Sequence, residues 1–251
     1  MRVPKSLATV FLLASLLVTA ATDSVARSRV KKRAAGPPTR AELKQAERRL
    51  SEMGYWTGPV DGVIDSTTEE ALIAFQKWEH RRITGRLTRA EFDAIREAGA
   101  PQAKDSGYRH VEVDLDRQVL LLTNDDGVVT KVLAVSTGSG KHYQEKQMSG
   151  LAYTPRGRFR IYAKMEGWRK SPLGLLYYPN YFSDGLAIHG NPSVPDNPRS
   201  HGCVRIPMFA AEKMSKELPG GTIVLIYDSQ SFVSAREWAE EDKQRAANNE
   251  R

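Results

Sequence analysis

The sequence predicts a mainly β domain, antiparallel and carrying one small helix, preceded by a unit of three short helices. Two observations predict this. Between residues 39 and 98, three candidate capping boxes, each a Ser or Thr with Glu three residues later, open runs with apolar residues at helical spacing. Past residue 107 the period changes to short alternating or apolar runs, broken by Gly, Asn, Asp and Pro. A third pattern, at the N-terminus, belongs to neither domain.

That N-terminal pattern places two positive charges in Met1–Lys5 ahead of an uncharged stretch, Ser6–Thr22, centred on LATVFLLASLLV. Small residues follow, and both Val18-Thr19-Ala20 and Ser24-Val25-Ala26 fit an Ala-x-Ala-like cleavage rule. The apolar run is shorter than the roughly 20 residues of a membrane span. Residues 1–26 therefore read as a signal peptide, cleaved between Ala20 and Ala26, with retention as an anchor the alternative. The expected mature protein is extracytoplasmic, in periplasm or cell wall, and not integral to the membrane.

The formal net charge of +7 is unevenly spread, with +6 in residues 1–39, −1 in 40–98 and +2 in 99–251. Residues 27–38, including RSRVKKRAAGPP, read as a basic disordered linker suited to an anionic membrane or wall polymer. Nucleic acid is set aside as a partner, because neither folded segment carries the basic excess it requires.

Residues 39–99 read as the helical unit. The capping boxes are Thr39/Glu42, Ser66/Glu69 and Thr88/Glu91. They open helices running to about Met53, from about Thr67 to His80, and from Arg89 to about Ala98. Leu43, Ala46, Leu50 and Met53 share a stripe on the first, Leu72 and Phe75 are buried by the second, and Gly54 and Gly99 act as stops. The connector GYWTGPVDGVID is rich in turn residues. Residues 99–107, GAPQAKDSG, read as a linker by composition, so the segments on either side are expected to act separately.

In the second segment, residues 108–228, HVEVDL alternates strictly and VLLLT is a short apolar run. NDDG turns into VVTKVLAV, and GRFRIYAK, GLAIHG and GTIVLIYD complete the strands. One helix is expected from Met208 to Leu218 after Pro207. Residues 229–251 form a charged C-terminal tail.

Cys203, within PRSHGCVRIP, is the single cysteine of the chain. Exported proteins pair their cysteines as disulfides, so an odd one signals a reactive thiol or intermolecular pairing. The bland alternative is a buried cysteine acting as a small hydrophobe, but Gly202 and the chargeable His201 and Arg205 are not core neighbours. A thiol nucleophile needs a base, since a free thiol ionises at about pH 8.5. His189, mounted at the end of an apolar strand, and His201 are the candidates. The expected signature is a thiol ionising below an ordinary cysteine. Zinc on His189, His201 and Cys203 lacks a fourth ligand at a familiar spacing, so no metal is expected.

Two resemblances add to this reading. LKQAERRLSEMGYWTGPVDGVIDSTTEEALIAFQKWEHRRITGRLT resembles the peptidoglycan-binding domain of bacterial wall enzymes, through Leu50, Gly54-Tyr55, Gly58, Asp61-Gly62, Thr68, Ala71, Phe75-Gln76 and Thr84-Gly85. It departs from that pattern at Asp65, where glycine is usual. IHGNPSVPDNPRSHGCVRI, with VSTGSG and TPRGRFRI upstream, resembles the L,D-transpeptidases with a YkuD-type catalytic domain.

The second resemblance implies an antiparallel β-sandwich with a small helical element. It implies Cys203 as nucleophile and His189 as general base, with Gly190 orienting the histidine through its carbonyl. Backbone N–H groups of His201, Gly202 and Cys203 would form the oxyanion hole, and Ser200 and Arg205 would meet substrate. The implied substrate is a peptidoglycan stem peptide and no cofactor is required. The segments 144–153 and 167–185, with Trp168, Tyr177, Tyr178 and Tyr181, are candidates for the cleft walls. An L,D-carboxypeptidase using water as acceptor, or a non-catalytic peptidoglycan-binding protein, are the rival readings.

Overall fold

All three N-terminal helices form, and their caps show what the local sequence specified. The computed structural model describes residues 36–145 and 148–231. The helices are α1 (Arg40–Glu52), α2 (Ser66–Trp78) and α3 (Arg89–Glu97). Thr39 and Glu42 make both arms of a capping box on α1. α2 is capped one residue earlier than expected: the Asp65 carboxylate, not the Ser66 hydroxyl, accepts from the Thr68 N–H at 2.8 Å. Thr88 caps α3, but Glu91 turns away to Arg81, 2.9 Å distant, instead of returning to the cap.

The expected signal peptide (1–26), most of the basic linker and the tail past residue 231 lie outside the described residues. Among the described residues no helix is long and apolar enough to cross a membrane.

Twelve strands follow among the described residues, with one helix. They are β1 (His110–Asp114), β2 (Val119–Thr123), β3 (Val129–Ala134), β4 (His142–Glu145), β5 (Met148–Leu151) and β6 (Gly157–Arg160). Then come β7 (Ala163–Lys164), β8 (Trp168–Ser171), β9 (Gly174–Ser183), β10 (Leu186–Asn191), β11 (Val204–Pro207), α4 (Met208–Glu217) and β12 (Ile223–Tyr227). One sheet runs β3-β2-β1-β12-β6. The second runs β11-β10-β9-β7, with β8 also paired to β9, and β4-β5 form a separate ribbon. Pairing is mostly antiparallel, with β1–β12 and β10–β11 parallel.

The first sheet is covered on both faces. Val111, Val113, Leu120, Leu122 and Leu133 pack toward the second sheet and α4. Val119, Leu121, Val132 and Ala134 share a core with Leu50, Leu72, Phe75 and Ile95 of the helices. Two-sided burial explains why VLLLT shows no polar alternation. Polar ties reinforce the junction: Val132 N–H donates to Gly54 O at 2.9 Å, and Arg117 Nε to Trp78 O at 3.2 Å. The linker is fixed as well, because buried Glu112 accepts the Lys104 and Asp105 N–H groups at 3.0 and 2.8 Å. His110 is a satisfied buried histidine against the same carboxylate, whereas His80 and His142 are exposed.

Candidate active site

The parallel pairing of β10 and β11 builds the site. Parallel neighbours need a crossover, and here residues 192–203 carry the chain back to the start of β10. Ile188 pairs with Val204 and His189 with Arg205. Alternation sends Ile188, Val204 and Ile206 into the core, all fully buried. His189, Cys203 and Arg205 thereby face the other way and line one cleft of about 690 Å³. Cys203 enters beside Ala187, whose N–H donates to Sγ at 3.4 Å.

The histidine is held in one tautomer. Nδ1 lies 2.9 Å from Gly190 O, and a carbonyl only accepts, so Nδ1 carries the hydrogen and the Nε2 lone pair is left free. Gly190 must be glycine here: a Cβ would lie 2.7 Å from Ala211 Cβ of α4, against which this strand packs. Burial, assisted by the Arg205 charge, lowers the His189 pKa from 6.5 to about 4 despite the Gly190 contact. Burial likewise pushes the Cys203 thiol up, against the Ala187 N–H and Arg205, which pull it down. Burial thus acts against the expected thiol ionising below an ordinary cysteine. It favours the neutral form of both thiol and imidazole.

The nucleophile loop is braced from within. Ser200 Oγ donates to Cys203 O at 2.6 Å and accepts the Gly202 N–H at 3.0 Å. Ser200 is buried at the wall of the cleft, where its hydroxyl braces the loop. The Gly202 N–H is spent in the same bond. Among the described residues the His201 and Cys203 N–H groups have no acceptor. Gly202 has φ +141°, and a Cβ there would lie 2.7 Å from Tyr153 O.

The segment after β3 forms the template. Ser136 exchanges backbone hydrogen bonds with Arg205 at 3.0 and 3.1 Å, and Ser200 N–H donates to Thr137 O at 2.9 Å. Thr154, to which no role was assigned from sequence, donates to Gly202 O at 2.7 Å and accepts the Gly138 N–H at 2.8 Å. Its place at the head of TPRGRFRI, a stretch already tied to the family resemblance, was the available signal.

His201 does not approach as a base. Its ring meets Tyr143 edge-on at 4.6 Å, and Nε2 lies 3.0 Å from Glu145 Oε1. The β4–β5 ribbon is thereby fastened over the loop. Tyr143, Met148 and Leu151 of this ribbon form one cleft wall, and Leu173, Leu175 and Leu176 of the β8–β9 hairpin another. Trp168, Tyr177, Tyr178 and Tyr181 do not line it. Arg205 is half-buried at the cleft, and among the described residues its guanidinium makes no ion pair. No group of three His, Cys, Asp or Glu suited to a metal ion occurs among the described residues.

The L,D-transpeptidase catalytic domain (YkuD) matches residues 108–226, and a peptidoglycan binding domain matches residues 39–95. An L,D-transpeptidase from Xylanimonas cellulosilytica shares 35% identity over 76% of this chain and 94% of that one, with a TM-score of 0.70. One from Stackebrandtia nassauensis shares 22% identity over 74% of this chain and 90% of that one, with a TM-score of 0.44. No curated protein matches the chain. On the shared catalytic domain and a 35%-identical relative covered almost throughout, the chain belongs to the L,D-transpeptidase family.

Proposed function

We propose that Cys203 is the acyl-forming nucleophile of an L,D-transpeptidase that cross-links peptidoglycan stem peptides. The observation that carries this reading is the placement of Cys203 and the free Nε2 side of His189 on one sheet face, opening into one cleft. The thiol proton passes to Nε2 as Sγ bonds to the carbonyl carbon between the third (L-centre) and fourth (D-) stem residues. The oxyanion is taken by the His201 and Cys203 N–H groups, each such donor contributing about 2.7–4 kcal/mol. Imidazolium returns the proton to the departing amine as the C–N bond breaks, leaving a thioester on Cys203. An acceptor amine then attacks, His189 takes its proton, and the new amide leaves with the thiol restored.

Gly190 orients the base, while Ser200 and Gly202 hold the loop. Arg205, with no acid beside it, suits a stem-peptide carboxylate. A peptidoglycan binding domain beside the catalytic one supports peptidoglycan as the partner. Two wall-acting domains support an extracytoplasmic location, reached through the N-terminal signal peptide. Incubation with a disaccharide-tetrapeptide tests the reading: cross-linked dimers from the wild type and none from Cys203→Ala are expected. An active Cys203→Ala variant would refute it.

A further inference from the structure

We propose that Lys77, on the α2 helix of the wall-binding unit, is a positioning residue for the catalytic loop. The proposal rests on the Cys203 reading above and extends it to a side chain outside the catalytic domain.

Lys77 is buried, 4% exposed, and its Nζ donates to Val135 O at 2.9 Å. Val135 immediately precedes the template that fixes both flanks of Cys203. Ser136 is laddered to Arg205 through its backbone, and its hydroxyl donates to Asn197 O at 2.8 Å while accepting the Arg199 N–H at 3.1 Å. Thr137 and Ser139 bind the Ser200 backbone at 2.9 and 3.0 Å. From the catalytic side the template is fastened by Gln118, whose Oε1 accepts the Thr137 N–H at 2.9 Å and whose carbonyl accepts the Val135 N–H at 3.0 Å. The Lys77 ammonium supplies the fastening from the opposite side.

A buried ammonium is an expensive choice for packing alone, since burial lowers its pKa to about 8, against the attraction of Asp196 and Glu70. A methionine would fill the same space. What the ammonium adds is a strong, directed hydrogen bond to one carbonyl, and that carbonyl lies between β3 and the template on which the nucleophile loop is laid. Asp196, in the crossover that ends at Cys203, lies within its field. The helical unit is thus a working part of the catalytic scaffold as well as a wall anchor.

The full-length chain tests this. Lys77→Met keeps the apolar stem and removes the donor. It is expected to lower kcat on stem peptide about tenfold at unchanged KM, and to slow iodoacetamide alkylation of Cys203 similarly. Lys77→Arg, which restores a cationic donor, is expected to recover most of both. Full kcat in Lys77→Met, a loss confined to KM, or no recovery in Lys77→Arg overturns the proposal. Should Lys77→Met fail to fold, Lys77→Gln, whose shorter stem loses the contact, is read in its place. The same kcat loss is expected, and wild-type turnover overturns the proposal. A wild-type protein without turnover on stem peptides would instead refute the Cys203 reading, and the alkylation rates still judge Lys77.

Discussion

The Ala187 N–H donates to the Cys203 sulfur at 3.4 Å, so the nucleophile candidate sits against the start of the strand that carries His189. His189 lies two residues further along β10 and on the same face. The contact follows from parallel register: with Ile188 opposite Val204, the residue before Val204 must arrive beside the residue before Ile188. An N–H aimed at sulfur favours thiolate, but burial opposes it more strongly. Burial thus favours a neutral thiol and a neutral imidazole.

Cys203 is expected to acylate in a single event. A penem-type β-lactam, whose strained amide is open to thiol attack, should add one adduct mass to the wild type and none to Cys203→Ala by intact-mass spectrometry. An adduct surviving in Cys203→Ala would place the nucleophile elsewhere.

The pH profile of kcat/KM reads the His189 environment. A base with its pKa lowered to about 4 stays neutral far below the ordinary 6.5. The acid limb is therefore expected near pH 4, and His189→Gln should abolish the activity on which that limb is measured. Stability follows the same sign. The unfolded imidazole binds its proton near 6.5 and the folded one near 4, so stability falls as pH drops between those values. A chemical-denaturation series from pH 7 to 4 checks this, and an acid limb at 6.5 would contradict the buried neutral base.

Gly202→Ala is expected to be more damaging than its size suggests. Positive φ costs about 1–3 kcal/mol for a residue with a side chain, and the added Cβ would press on Tyr153 O at 2.7 Å. The loop carrying Cys203 must shift. A lower Tm together with slower β-lactam acylation is the expected outcome.

Removal of residues 1–99 is expected to destabilise the catalytic domain, not release it intact. Val119, Leu121, Val132 and Ala134 would lose their helical cover. Each Val or Leu contributes about 1.5–3 kcal/mol on burial, which in sum rivals the roughly 5–15 kcal/mol of a whole domain. Differential scanning calorimetry of residues 100–251 against 27–251 measures the difference. Equal Tm values would show that the shared core is dispensable.

The acceptor is expected to be an amine. The two hairpin walls shelter the thioester, and an acceptor held beside it gains a large effective concentration over free attack. With tetrapeptide substrate, dimers should exceed trimmed tripeptide by mass spectrometry. Tripeptide dominating in excess acceptor amine would make the protein a carboxypeptidase.

Much of the fold was legible because it is written in local chemistry. Thr39 with Glu42 specifies a helix start by hydrogen bonds three residues apart, and HVEVDL specifies a strand by alternation alone. β9, the longest strand among the described residues, was harder to read. Pro179 and the positive φ of Tyr178 interrupt it, and the β10–β9 register shifts nearby. A proline is tolerated in a strand where the ladder is already broken, which only the pairing reveals. Asp65 was read as a departure in the connector, yet its carboxylate is the cap of α2; choosing between adjacent capping residues depends on where the connector enters the helix.

By itself the sequence determined the residue types at the site: one thiol, a histidine ending an apolar strand, and a long His-Gly-to-Ser-His-Gly-Cys signature. Their spacing along the chain is a covalent fact. Tertiary structure alone decided which groups meet. It turned His201 to Glu145 and set His189 and Cys203 facing one cleft, because parallel register, not sequence distance, sets which side chains share a face. It decided the direction in which each group's ionisation is shifted too, since desolvation depends on everything packed around a group. It also joined the helical unit to the sheet, because an apolar run such as VLLLT records that both faces are covered but never by what.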